Sequence, residues 1–218
     1  MLVSHLKKFI FVKTIKTAGT SVESYFEQYC MPAGTWTQSH HRDEYIGESG
    51  IIGYRGKDKG ASTFYNHMPA SEIKQLIDTQ VWQSYLKFTV VRNPYDKMIS
   101  AYYFFRKRND ELADREACDI QDFRKWVSQS NGIIDKQIYT IDGKCVMDTY
   151  IRYENLHDDM KNICEKLGIA FNKDELPKFK SGYRNQNYSM SDFYDQKTAE
   201  KVARLYQFEI DEFGYSLD

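Results

Sequence analysis

Apolar residues fall into two kinds of run along this chain. Phe9 to Val12 is unbroken, the mark of a strand buried on both faces. Leu86 to Val91, mixing β-branched and aromatic residues, predicts a second central strand, and Val146 to Tyr150 a third. The remaining apolar positions keep helical spacing. Val22, Tyr25, Phe26 and Tyr29 predict a helix directly after the first strand. Pro69 to Asp78 predicts another, with Ile73, Leu76 and Ile77 on one face and Ser71 as its cap. Tyr95 to Arg106 follows the second strand, with Pro94 near its first turn. Ile120 to Ser128 and a segment from Glu154 to Leu167 closed by Gly168 are also helical in pattern. Ser191 or Asp192 is placed to cap a last amphipathic helix carrying Val202, Leu205, Tyr206, Ile210 and Phe213.

Strands alternating with helices imply an α/β fold: a three-layer, P-loop-like arrangement with a central parallel sheet flanked by helices. Ligands in such folds lie beyond the carboxyl ends of the strands. The chain reads as a single domain, 1–218. Residues 31–66 interrupt the pattern with Pro32 and glycines at 34, 47, 50, 53, 56 and 60, which predicts a long irregular loop of functional or mobile character.

Composition narrows the function. A net charge of −1 argues against broad electrostatic binding of nucleic acid. No apolar run reaches the ~18 residues of a membrane span. Cys30, Cys118, Cys145 and Cys164 are scattered without a C-x-x-C pair, the usage of reduced thiols in a cytoplasmic protein.

The candidate chemistry begins where the first strand stops. Lys16-Thr17-Ala18-Gly19-Thr20-Ser21 is a small-residue turn leading into a helix. First-turn N–H groups have no intrahelical acceptor, and the helix dipole adds partial positive charge, so this is a phosphate cradle. Lys16 adds a full charge; Thr17, Thr20 and Ser21 add hydroxyls. It is not Gly-x-x-x-x-Gly-Lys-Ser/Thr, because the lysine precedes the single glycine. Arg92, at the end of the second strand, and Ser100, eight residues later on the next helix, form a second anion-binding pair.

Lys-Thr-Ala-Gly-Thr-Ser resembles the 5′-phosphosulfate loop of sulfotransferases. Arg92-Asn-Pro-Tyr-Asp-Lys-Met-Ile-Ser100-Ala-Tyr resembles their 3′-phosphate motif, with Lys97 where a second arginine is usual. Together the motifs make the chain similar to the sulfotransferases that use 3′-phosphoadenosine 5′-phosphosulfate (PAPS), nearest the bacterial and glycan-modifying branch that includes heparan 2-O-sulfotransferase. The resemblance covers 9–23 and 67–105, and more loosely 148–168 and the Phe213-Gly-Tyr end. One departure is Lys13-Thr-Ile-Lys16, where many relatives have His-x-Pro-Lys.

The resemblance implies PAPS as co-substrate and PAP (adenosine 3′,5′-bisphosphate) as product, with no metal. The acceptor would be a hydroxyl, with a glycan or small molecule expected. Lys16 through Ser21 would hold the 5′ end, with Lys16 also offsetting charge on the departing oxygen. Arg92 and Ser100 would hold the 3′ phosphate, with Arg184 in a late loop closing over it. His67 would be the catalytic base. His40, His41 and Glu23 are rivals for that role. An ATP-dependent phosphotransferase and a non-catalytic nucleotide-binding scaffold are the competing readings.

Overall fold

The computed structural model describes residues 1–108, 120–177, 179 and 188–217. The chain separates into two compact units, one formed by 1–91 with 137–179 and the other by 92–136 with 180–218.

The first unit is built on a six-stranded sheet. In chain order its strands are β1 (Leu2–Ser4), β2 (Phe9–Val12), β3 (Tyr45–Gly47), β4 (Gly50–Ile52), β5 (Leu86–Val91) and, after a small β6–β7 hairpin (Thr140–Ile141, Lys144–Cys145), β8 (Thr149–Arg152). The spatial order is β3-β4-β1-β2-β5-β8. Only β2, β5 and β8 run parallel; β1, β3 and β4 pair antiparallel. The sheet is therefore mixed, not parallel throughout as the pattern predicted. The antiparallel half comes from strands of three residues, too short to show a period. The third parallel strand begins at Thr149, three residues later than expected.

Alternation sets the packing. Phe9 and Phe11 of β2, Phe88 and Val90 of β5, and Ile151 of β8 form one core with Val22, Tyr25 and Phe26 of α1 (Gly19–Glu27) and Met160, Ile163 and Cys164 of α6 (Leu156–Lys166). The out-of-phase residues Ile10, Val12, Thr89 and Val91 are buried as well, as the unbroken β2 sequence required.

The irregular region at 31–66 is not a featureless loop. It contributes the β3–β4 hairpin, and Gly50 permits β4 to lie close against β1. A Cβ there would sit 2.2 Å from the Val3 carbonyl oxygen. The segment 69–84 forms two short helices, α2 (Ala70–Leu76) and α3 (Thr79–Ser84). Pro69 occupies the α2 cap, so Ser71 does not, while Asp78 caps α3 through the amides of Gln80 and Val81.

The second unit is helical: α4 (Pro94–Arg108), α5 (Ile120–Gln129), α7 (Gln196–Leu205) and α8 (Gln207–Phe213). Its core joins Met98, Ile99 and Tyr102 of α4 to Phe123 and Val127 of α5, Phe193, and Val202 of α7. The last amphipathic stretch, expected as one helix, breaks at Tyr206. Asp195 caps α7 in a reciprocal box with Thr198, in place of Ser191 or Asp192.

Candidate active site

The end of β2 turns sharply into α1. Lys16 and Ala18 both take left-handed backbone angles, φ +60° and +62°, and Ala18 stands at the cap of the helix. Gly19 is buried because the turn folds against Lys13: a Cβ on Gly19 would lie 2.9 Å from Lys13 Cγ and 3.3 Å from the Thr14 carbonyl oxygen. The Ser21 and Val22 amides bond to the Ala18 carbonyl, and the Gly19 and Thr20 amides ahead of them have no intrahelical acceptor, the geometry of an anion cradle.

The hydroxyls divide by role. Thr14 donates its hydroxyl proton to the Val90 carbonyl and lies 2.9 Å from the Thr17 hydroxyl. Thr17 must therefore be the donor to Thr14, which leaves it no hydroxyl proton for an anion. Ser21 accepts from the Phe179 amide at 3.4 Å and keeps its own proton, while Thr20 is partly exposed.

Behind the cradle is a buried ionic cluster. Glu23 and Glu27, both fully buried, stand one turn apart on α1. Glu23 accepts from Lys13 Nζ at 2.8 Å, from Arg55 Nη1 at 2.5 Å and from the Met1 amino group at 2.7 Å. Glu27 pairs with Arg55, with Arg42 at 3.1 Å and with the Trp36 indole at 3.2 Å. Burial works to raise the Glu23 carboxyl. The charges of Lys13, the Met1 amino group and Arg55 outweigh it and hold the group well below the usual carboxylate range. Glu23 is thus a fixed anion and unsuited to proton abstraction at neutral pH. Lys13 is 2% exposed and committed to Glu23.

His67 enters the same assembly from the turn before α2. Its backbone is left-handed, φ +60°, and its Nδ1 lies 3.1 Å from the Lys13 carbonyl oxygen. A carbonyl only accepts, so Nδ1 carries the proton and Nε2 presents a lone pair. Burial, and then the Lys13 charge, lower its pKa to about 4, so the ring is neutral near pH 7.

The rival histidines lie on the long loop. His40 packs edge-on against Phe179 at 5.4 Å and against His41 at 5.0 Å. Among the described residues no group of three or more His, Cys, Asp or Glu side chains could hold a metal ion. No described helix is long and apolar enough to cross a membrane.

Arg92 and Ser100 belong to the helical unit. Arg92 Nε and an Nη engage Asp96 at 2.8 and 2.7 Å, and Ser100 is partly buried within α4. Lys97 stands at the position of the motif's second arginine. It is 4% exposed, 2.5 Å from Asp135 and 5.7 Å from the Tyr206 ring, so its charge is spent inside this unit. Arg184 lies outside the described residues.

The structure thus brings Lys16 through Ser21 and His67 together within one unit, around Lys13. Sequence reasoning missed Arg55 and Glu27. Glu23 and Glu27 at helical i, i+4 spacing on an otherwise apolar face were the available signal.

The site thus combines a strand, a tight turn and a helix backed by fixed charge, with a neutral histidine alongside. The chain belongs to the sulfotransferase family, whose model matches residues 1–216. An uncharacterized protein of Archaeoglobus fulgidus is 26% identical over 104 residues, 47% of this chain and 83% of that protein. The family carries out sulfotransfer to hydroxyl-bearing acceptors.

Proposed function

We propose that the protein moves a sulfuryl group from PAPS to the hydroxyl of a carbohydrate, by in-line transfer with His67 as base. The observation that supports this most is the His67 ring, held neutral with Nδ1 on the Lys13 carbonyl beside the cradle.

When bound, the donor supplies a sulfuryl group on a phosphate leaving group. The residues present fit such a dianionic end: the α1 amides, the Lys16 ammonium and the hydroxyls of Thr20 and Ser21 are all donors. Ala18 contributes its left-handed backbone and Gly19 its missing side chain, while Thr17 shapes the turn from within. Arg92, through its planar guanidinium, and Ser100, through its hydroxyl, hold the 3′ phosphate. His67 Nε2 takes the acceptor hydroxyl proton as that oxygen bonds to sulfur and the bond to the departing phosphate oxygen breaks. Lys16 offsets the charge left on that phosphate. Such a base typically contributes roughly 10²–10⁴ in rate. The carbohydrate rests on the family resemblance.

Thermal unfolding with PAP, or with ATP and magnesium, tests the reading first. PAP at 100 times its dissociation constant stabilises by about 2.7 kcal/mol, roughly 5–11 °C in midpoint. His67→Ala abolishes transfer and leaves PAP binding intact. A shift with ATP alone would replace the reading with a phosphotransferase, and transfer retained by His67→Ala would remove the base.

A further inference from the structure

Lys13 touches the cradle and the base through different atoms. Its carbonyl oxygen lies 3.1 Å from His67 Nδ1. Its side chain runs under the turn, with Cγ 2.9 Å from the place a Gly19 Cβ would occupy, and ends on Glu23 Oε2 at 2.8 Å. Glu23 cannot follow a moving lysine, because Arg55 and the Met1 amino group hold it from other directions. We infer that Lys13 is a positioning residue that joins the two halves of the site, orienting His67 with its main chain and propping the cradle turn with its clamped side chain. This rests on the reading of His67 as base.

The charged groups facing His67 are Lys13, the Met1 amino group and Glu23. In the surrounding cluster three side-chain cations, Lys13, Arg42 and Arg55, meet two carboxylates, Glu23 and Glu27. The surplus is positive. It favours an anion in the cradle and, with burial, keeps the His67 ring neutral while the cradle is empty. The His-to-Lys departure from the family pattern thereby becomes a working part of this chain.

The test is NMR of the His67 ring in the full chain, without ligand and with PAP, in the parent, Lys13→Arg and Lys13→Met. In the parent, Nδ1 bears the proton, the ring titrates near 4, and PAP perturbs its resonances. Lys13→Met raises the His67 midpoint toward the ordinary histidine value and weakens PAP binding by about tenfold. Lys13→Arg keeps the low midpoint and binds PAP within about threefold of the parent. An unchanged midpoint together with unchanged PAP affinity in folded Lys13→Met would overturn the inference. If that variant does not fold, the parent decides: a proton on Nε2, or a midpoint near 6.5, overturns it equally. Failure of the sulfotransfer reading is distinct, since tautomer and midpoint are read without donor or acceptor.

Discussion

Arg55 Nη1 donates to Glu23 Oε2 at 2.5 Å, with the arginine 4% exposed and the glutamate fully buried. The same nitrogen reaches Glu27, while Nη2 and Nε donate to the carbonyls of Ser39 at 2.8 Å and His40 at 2.9 Å. One guanidinium thus pins the long loop to α1. Arg55→Met leaves two carboxylates in the interior short of a partner, at a cost of about 3–5 kcal/mol. For a chain of this size that lowers the unfolding midpoint by roughly 6–20 °C. Calorimetry checks this; a loss below about 1 kcal/mol would mean the loop is held by other contacts.

Gly19→Ala tests the closeness of the cradle turn. The new methyl meets Lys13 Cγ at 2.9 Å, and Lys13 cannot yield because Glu23 holds its other end. Overpacking of this kind costs about 1–3 kcal/mol. PAP affinity falls with stability in this variant. Isothermal titration beside thermal melts gives both numbers, and undiminished affinity would show that the turn has room.

Acid should unfold the protein earlier than its sequence charge implies. His67 resists protonation down to about 4, whereas the unfolded ring binds a proton near 6.5. Between those values the unfolded chain holds more protons, so stability falls as pH falls, by roughly 2–3 kcal/mol across the window. Glu23, depressed in the folded state, adds a second loss that begins near the ordinary glutamate value and continues downward. Urea midpoints from pH 7 to pH 4 measure both. His67→Gln should flatten the upper part of the fall and leave the lower part.

The helical unit gives a separate prediction about nucleotide choice. Arg92→Met and Ser100→Ala should weaken PAP, which carries the 3′ phosphate, and leave 5′-AMP unchanged. Loss of one charge-assisted set is worth about 1.5–3 kcal/mol, or ~10–150-fold. Lys97→Met should instead act on stability, because its partner is the buried Asp135. A drop in PAP affinity with Lys97→Met in a protein of parental stability would restore Lys97 to the phosphate site.

Elements with a strong period were readable. β2, α1, β5 and α4 stand where the apolar pattern put them, since each repeats its signal over four or more residues. β1, β3 and β4 span three residues each, and nothing in three residues separates a strand from a loop. The apolar spacing runs on through Tyr206, so a single helix was predicted. The break there lets the Tyr206 hydroxyl accept the Ile133 amide at 2.7 Å, a tertiary contact with no local trace. At the site, residue type and order singled out Lys16 through Ser21 and His67, and the structure places them in one unit around Lys13. The Glu23–Arg55 pairing joins residues 32 apart across a glycine-rich stretch, and only folding shows it. The burial of Lys13 against Glu23 was likewise invisible, because a lysine at a strand exit is ordinarily solvated.

The strand ends beneath the cradle are sewn together by side chains as well as by the ladder. Thr14 donates to the Val90 carbonyl of β5, and Thr89 of β5 donates to the Val12 carbonyl at 2.6 Å. Two threonines stitching in opposite directions make the floor of the turn part of the sheet's cooperative unit. Amide protons of the β2–β5 ladder should then exchange with deuterium only when the whole sheet opens, so the turn stands on a floor that does not breathe.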